Sequence, residues 1–236
     1  DGTDLETLVR VHAPVPVRVV IHILRQVCES LEEAHVAGMV HRDIKPANIH
    51  VGRLGLEYDF VKVLDFGLVK PVAGKLDEHS LATAAGLTPG TPAYMAPEMA
   101  MAEPVDGRPA IYALGCVPYY LLTATLVFTA DTSLQMIVRH LQSDPVPPSK
   151  RTNAEIPPAL DRVVLACLAK KPGDRPSSAG ELAKALDAVG LEPWTQEDAR
   201  RWWDATRSLA APSSGDVTNN SRTMSTLDDS AGVRAV

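Results

Sequence analysis

The stretch "MVHRDIKPANIHV", residues 39–51, places five polar side chains within eight positions, between two apolar ends. These side chains are His41, Arg42, Asp43, Lys45 and Asn48. A solvated connection usually carries Gly, Ser or a tight turn, whereas this one carries charges around the rigid Pro46. An acid, two cations and an amide so close together indicate a chemical site.

The composition is that of an ordinary globular protein. Of the 236 residues, 45% are hydrophobic, which is enough for a sizeable core. A net charge of -6 and a pI near 5.6 argue against nucleic acid or an anionic membrane as the main partner. No apolar run approaches the length of a membrane span, and no stretch has the features of a signal peptide. The three Cys residues lie in apolar stretches and predict buried free thiols in a reducing cytoplasm.

Hydrophobic spacing predicts a mainly α domain with a small β-hairpin. Helical patterns cover residues 17–37, 111–124, 131–142, 158–170, 178–186 and 195–207. The second of these is apolar nearly all round, as in a buried helix. The short β-rich runs at 49–51 and 60–65 predict the hairpin, and residues 68–98 lack any period and predict a long loop. We expect one domain over residues 1–209 and a disordered tail over residues 210–236, which is rich in Ser, Asn, Thr and Asp.

Three motifs in order carry a family resemblance. "HRDIKPAN" at 41–48, "DFG" at 65–67 and "GTPAYMAPE" at 90–98 resemble the catalytic domain of bacterial, eukaryotic-like Ser/Thr protein kinases. The resemblance covers nearly all of residues 1–209. It implies a protein-kinase-like fold with the C-terminal lobe only, because the Gly-rich loop, strand Lys and helix Glu of the family's N-terminal lobe are absent from the chain. That missing N-terminal kinase lobe is an expected partner.

The resemblance also implies the chemistry. Phosphoryl transfer needs positioned charge and an acceptor for the hydroxyl proton, rather than covalent catalysis. The resemblance implies that Asp43 is the catalytic base toward a protein Ser or Thr hydroxyl. It implies that Lys45 neutralises charge on the transferring phosphoryl group. Asn48 and Asp65 supply the hard oxygen ligands that suit Mg²⁺ on the phosphates of ATP.

Further positions follow from the resemblance. Lys45, Asn48 and Asp65 are expected at the ATP phosphates. His50 replaces the aliphatic residue that forms the floor of the adenine pocket, and Asp4 occupies a position that contacts the ribose in some relatives. Glu98 and Arg175 match a pair that family members bury as a structural ion pair.

Regulation is expected in the long loop. Lys45 with Thr91 indicates Ser/Thr specificity, and Arg42 before the catalytic Asp resembles kinases whose loop is ordered by phosphorylation. Thr83 and Thr88 are the expected phosphorylation sites, with Ser80 third. For any one of them, an ordinary loop hydroxyl remains an alternative of nearly equal weight.

The buried helix departs from the family pattern. Ala110 stands where relatives have an Asp that braces the catalytic loop, Pro118 lies in the helix interior, and Ala124 replaces a Gly at the helix end. These choices are either tolerated variation, which the intact Asp43, Asn48 and Asp65 favour, or loss of function. The alternative functions are therefore a pseudokinase-like binding or scaffolding module and, with less weight because of "GTPAYMAPE", a small-molecule phosphotransferase.

Overall fold

The structure is a computed structural model that describes residues 2–65, 91–103 and 105–210. Within these ranges the elements follow in the order β1 (Gly2–Asp4), α1 (Leu5–His12), α2 (Val17–Val36), β2 (Ile49–Leu54), β3 (Glu57–Val63), α3 (Pro97–Ala100), α4 (Arg108–Thr123), α5 (Ser133–Gln142), α6 (Pro158–Cys167), α7 (Ala179–Asp187) and α8 (Gln196–Ala210). Short 3₁₀ turns lie at Pro46–Asn48, Thr91–Tyr94, Pro148–Lys150 and Pro172–Asp174. The chain is therefore helix-rich, as its hydrophobic spacing predicts.

Helices α2 and α4 form the centre of the core. The predicted stripe of α2 is buried along its length, because its apolar side chains recur at helical spacing. Helix α4 is buried on nearly every side, as predicted, and packs against α2 and α6. It begins three residues before the predicted start, and it continues through Pro118 to end at Ala124 in the left-handed conformation.

The predicted hairpin is confirmed but incomplete, because a third strand joins it. The three strands form an antiparallel sheet in the order β1-β2-β3, with Gly2 opposite Gly52 and Ile49 opposite Val63. Strand β1 has only three residues, too few for a periodic pattern to reveal it. A side chain at Gly2 would bring its Cβ within 2.8 Å of the Val51 carbonyl oxygen, so glycine permits the close approach.

The long loop predicted over residues 68–98 contains short helical elements at its C-terminal end, which the sequence pattern did not predict. A 3₁₀ turn and helix α3 occupy most of residues 91–100, where Pro residues stand at the first turn of each. Residues 66–90 lie outside the described part of the chain. The same holds for residues 211–236, so the predicted tail is untested beyond the end of α8 at Ala210.

The three cysteines are buried and free, as predicted. Burial raises the pKa of the Cys28 thiol to about 12, so this thiol is protonated and unreactive at neutral pH. Among the described residues, no helix is both long enough and apolar enough to cross a membrane.

The contact between α4 and α6 depends on a glycine. A Cβ at Gly115 would lie 2.8 Å from the Cys167 Cβ and 3.0 Å from the Leu168 Cγ. We therefore expect Gly115→Ala to lower the free energy of unfolding by up to about 2 kcal/mol, since overpacking costs about 1–3 kcal/mol and the gain in helix propensity offsets only about 1 kcal/mol of it. Chemical denaturation of the whole chain measures this change.

A matched control is available in α7. A Cβ at Gly180 would meet nothing closer than the Glu32 carboxyl carbon at 3.4 Å, an ordinary contact. Gly180→Ala should therefore be neutral or stabilising. Equal effects of the two substitutions would contradict the packing argument.

Candidate active site

The loop between α2 and β2 gathers three of the predicted catalytic side chains. Lys45 Nζ lies 2.6 Å from Asp43 Oδ2 and donates to it. Asn48 Nδ2 donates to the same carboxylate oxygen at 3.1 Å and to the Asp43 carbonyl at 2.8 Å. Within the described ranges, Asp43 Oδ1 accepts no hydrogen bond, so one oxygen of this carboxylate is held and the other remains available as an acceptor.

His41 joins this loop to the strand that follows. Its Nε2 donates to the Leu64 carbonyl at 2.7 Å, and its Nδ1 accepts from the Asp43 N–H at 3.3 Å. These two bonds require the tautomer with its proton on Nε2. The Leu64 N–H in turn donates to the Asn48 carbonyl at 2.8 Å. Both backbone groups of Leu64 are therefore bound to the loop, which places the next residue, Asp65, beside it.

Asp65 has a special backbone conformation. Its φ is 63°, in the left-handed region, and its side chain is exposed. A non-glycine residue in this region is uncommon and is often found at functional sites. Phe66 and Gly67, the rest of the predicted motif, lie outside the described residues.

The two predicted metal ligands, Asn48 and Asp65, suit a magnesium ion whose remaining ligands are water and phosphate oxygens. Because Asn48 Nδ2 is bound to Asp43, the amide oxygen is left as an acceptor, and Asp65 offers a carboxylate. Magnesium in nucleotide sites commonly takes one or two protein oxygen ligands, with water and phosphate completing the octahedron. In the part of the chain that is described, no cluster of three or more His, Cys, Asp or Glu side chains forms an all-protein metal site.

The two predicted nucleotide contacts outside the loop lie together. Asp4 and His50 are directly opposite each other on β1 and β2. Asp4 Oδ1 accepts from the Thr7 N–H at 2.8 Å and caps α1. Burial raises the pKa of Asp4, but the hydrogen bonds from Thr7 outweigh that effect, and the pKa is lower than its ordinary value. The carboxylate is therefore ionised at neutral pH with one oxygen already used.

The predicted regulatory residues are only partly within the described chain. Arg42 is half-buried, and its Nε is shielded from solvent without a hydrogen-bond partner among the described residues. Thr83, Thr88 and Ser80 lie outside the described ranges. Thr91 begins a 3₁₀ turn, and its side chain is outside the described part.

Ala110 borders a small cavity beneath the catalytic loop. The cavity has a volume of about 30 Å³ and is also lined by Arg42, Asp43, Tyr94 and Met99. This volume is enough for one or two water molecules.

The structure brings together Glu98 and Arg175, which are 77 positions apart. Arg175 donates from Nη1 to Glu98 Oε1 at 2.6 Å and from Nη2 to Oε2 at 2.8 Å, and both side chains are almost fully buried. Three main-chain carbonyls, those of residues 108, 169 and 170, accept further bonds from the guanidinium. The guanidinium also lies 4.9 Å from the centre of the Tyr112 ring. The pair therefore ties α3 to the first residue of α4 and to the segment after α6.

Sequence reasoning assigned no role to two buried polar residues, His41 and Asp59. The first is His41, whose partner Leu64 is 23 positions away. The second is Asp59 on β3, which is fully buried. The position of His41 within the motif could have identified it as part of the site. No local sequence signal could have identified Asp59, because its partners come from the far end of the chain.

Comparison with known proteins gives a consistent family. The family model described as "Protein kinase domain" matches residues 1–187. The serine/threonine-protein kinase pkn3 of Myxococcus xanthus is 39% identical over 212 residues, which cover 89% of this chain and 39% of that protein. The serine/threonine-protein kinase PknB of Mycolicibacterium smegmatis is 38% identical over 215 residues, which cover 90% of this chain and 33% of that protein. The chain therefore spans between a third and two-fifths of the length of these relatives.

A solved structure agrees in fold. The crystal structure of the PknI kinase domain of Mycobacterium tuberculosis matches with a TM-score of 0.58 and 26% sequence identity, over 81% of this chain and 63% of that one.

The buried ion pair yields a stability prediction. Glu98→Gln should lower the free energy of unfolding by about 3–5 kcal/mol, because the Arg175 charge would remain buried without its counter-ion. Thermal and chemical denaturation of the whole chain measure the loss. The exposed pair of Glu197 and Arg200 provides the control, and Glu197→Gln should leave the unfolding midpoint close to that of the wild type. Equal midpoints for the two variants would contradict a structural role for the buried pair.

Proposed function

Because the chain belongs to the protein kinase domain family, we propose that it transfers the γ-phosphoryl group of ATP to Ser or Thr hydroxyls of protein substrates. The observation that carries this proposal is the state of Asp43. One of its carboxylate oxygens is fixed by Lys45 and Asn48, and the other is available to accept a proton. The names of the relatives, serine/threonine-protein kinases, support the same class of acceptor.

The geometry supports a distinct role for each side chain. Asp43 Oδ1 accepts the hydrogen bond of the attacking hydroxyl, orients it and takes its proton as transfer proceeds. Lys45 neutralises negative charge next to this carboxylate, where the transferring phosphoryl group would lie. The amide oxygen of Asn48 and the carboxylate of Asp65 would hold Mg²⁺, which balances charge on the phosphates when bound.

We further propose how the nucleotide is held. His50 would lie under adenine as a flat ring in place of an aliphatic floor, and Asp4 would use its remaining oxygen on the ribose. No Gly-rich phosphate loop with an accompanying strand Lys occurs in these 236 residues. An N-terminal kinase lobe is therefore the proposed partner, and this chain corresponds to the C-terminal lobe.

The location and the macromolecular partners are also proposals. Three buried free thiols suit a reducing cytoplasm. The net charge of -6 disfavours nucleic acid. Protein substrates bearing Ser or Thr are the remaining partners that the family supports.

A second candidate function is a pseudokinase-like module that binds partners with little catalysis. The observation that favours it is the cavity at Ala110, since a loop that is less firmly supported from below would position Asp43 less well. The hydrogen bonds that hold Asp43 from within the loop favour the active enzyme instead.

Substitution of the two carboxylates tests the enzyme. In the natural protein that contains this chain, Asp43→Asn should lower the rate of phosphate transfer to a generic protein substrate by about 10²–10⁴-fold, because the proton acceptor is lost. Asp65→Ala should abolish transfer by removing a metal ligand. Incorporation of radioactive phosphate measures both, and circular dichroism verifies the fold.

Asp187→Asn is the control for these variants. Asp187 is half-exposed, pairs with Arg25 on the helical surface and has no contact with the loop in the described structure. Its substitution should leave activity unchanged. Comparable activity in Asp43→Asn and the control would refute the proposed base, and ATP binding without transfer in the unaltered protein would favour the pseudokinase.

We also propose regulation through phosphorylation of the segment that precedes Thr91, which lies outside the described residues. Phosphate on Thr83 or Thr88, with Ser80 third, would pair with Arg42, whose Nε lacks a partner among the described residues. Mass spectrometry of the active protein should find phosphate at one of these positions. The variant with all three changed to Ala should lose activity, as should Arg42→Gln, and full activity in both would contradict the proposal.

A further inference from the structure

A fully buried carboxylate on β3 is held by two tryptophans from the C-terminal segment. Asp59 is 0% exposed. Trp194 Nε1 donates to its Oδ2 at 2.6 Å, and Trp203 Nε1 donates to its Oδ1 at 2.5 Å. Asp59 forms no ion pair with any residue in the described ranges. A carboxylate is costly to bury without hydrogen-bond donors. The two indole N–H groups therefore offset the cost of burying the Asp59 carboxylate.

The same segment covers the open edge of the sheet. Strand β3 is an edge strand, because the order is β1-β2-β3. The Gln196 side chain accepts from the Tyr58 N–H at 2.7 Å and donates to the Tyr58 carbonyl at 3.1 Å. From α2, Gln26 accepts from the Val61 N–H at 3.0 Å and donates to the Asp59 carbonyl at 2.8 Å. Two side-chain amides thus take the place of a neighbouring strand.

A third set of contacts fixes the segment to α2. The Arg18 guanidinium donates to the carbonyls of Glu192 and Pro193 and to the Asp198 carboxylate, and it lies over the Trp194 ring at 5.3 Å. The segment begins after residue 187, where the match to the kinase family model ends. Residues 192–203, which we name the C-terminal clamp, therefore lie beyond the residues that the family model matches, and they are bound to the rest of the chain through specific polar contacts.

Strand β3 connects the clamp to the candidate active site. Asp59 lies six residues before Asp65, a distance of roughly 20 Å along an extended strand. Asp59 itself has a φ of 56°, a left-handed conformation that a β-strand does not adopt without support from elsewhere. At the other end, Leu64 is bound to His41 and Asn48. The strand is thus held at one end by the clamp and at the other by the catalytic loop.

We propose that Asp59 is a positioning residue. It anchors the C-terminal clamp, and the docked clamp holds β3 in the conformation that places Asp65. Docking of the clamp and order at residues 61–65 are then thermodynamically coupled, so release of one loosens the other. The proposal concerns the position of Asp65 and does not depend on the catalytic roles proposed above.

The tryptophans themselves report on docking. All three tryptophans of the chain, Trp194, Trp202 and Trp203, lie in the clamp, so tryptophan fluorescence, excited selectively over that of tyrosine, measures this segment alone. Trp203→Phe keeps an aromatic ring but removes one donor to Asp59. Trp202→Phe is the matched control, because it removes a neighbouring indole whose N–H makes no hydrogen bond within the described part of the chain. Each variant leaves two fluorophores.

The test combines acrylamide quenching with hydrogen exchange on the whole chain. Trp203→Phe and Asp59→Asn should increase quenching of the remaining tryptophans. Both should speed exchange at residues 57–65 by at least about tenfold, as expected when a hydrogen bond to a charged group is lost. Trp202→Phe should change neither. If Asp59→Asn fails to fold, Trp194→Phe, which removes the other donor, replaces it.

A second control separates coupling from general loss of stability. Gly115→Ala perturbs the core at a site that does not contact the clamp. The denaturant concentration is adjusted until the free energy of unfolding of Gly115→Ala equals that of Trp203→Phe. Faster exchange at residues 57–65 in the clamp variants alone supports the proposal. An equal increase in the exchange rate in Gly115→Ala overturns the proposal. Release of the clamp with unchanged exchange at residues 61–65 also overturns it. So does a clamp that stays docked, as judged by quenching, in both Asp59→Asn and Trp203→Phe.

Discussion

The two hydrogen bonds on the Leu64 backbone are the constraint on which the candidate site depends. His41 binds the carbonyl and the Asn48 carbonyl binds the N–H, so the end of β3 and the loop that carries Asp43 form one unit. The peptide group of Leu64 is half-buried and has both partners satisfied, so moving it is costly, because each broken bond leaves a polar group with restricted access to water. The main chain at Asp65 is therefore held beside the loop that carries Asn48 before any ligand contributes.

Two further buried contacts join distant parts of the described chain. Glu98 and Arg175 join α3 to the helical core through a bidentate ion pair with additional carbonyl acceptors. Asp59 joins β3 to two indoles from the C-terminal segment. In both places a charge is buried, and in both every charged atom is satisfied by donors or acceptors of fixed geometry, which is the condition under which a buried charge is tolerated.

Helix α4, which packs next to the loop that carries Asp43, contains a proline in its interior and borders a small cavity. Helix α4 remains regular through Pro118 and leaves a small cavity at Ala110. The loop above is instead braced from within, because Asn48 and Lys45 both bind Asp43. These bonds hold the Asp43 carboxylate from within the loop, without a contribution from the side chain of Ala110.

The sequence by itself determined the family, the long helices and which polar residues lie together in the loop between α2 and β2. Asp43, Lys45 and Asn48 are within six positions of one another, so their proximity follows from chain connectivity alone, and the long helices follow from hydrophobic spacing. The tertiary structure decided what lies far apart in the chain. It added the three-residue strand β1, which is too short to show a period, and it gave Leu64 its partner in His41. It also brought Asp59 to Trp203 across 144 positions. Local patterns record which face of an element is buried, but they do not record which distant group meets it, because that choice is made by packing of the whole chain.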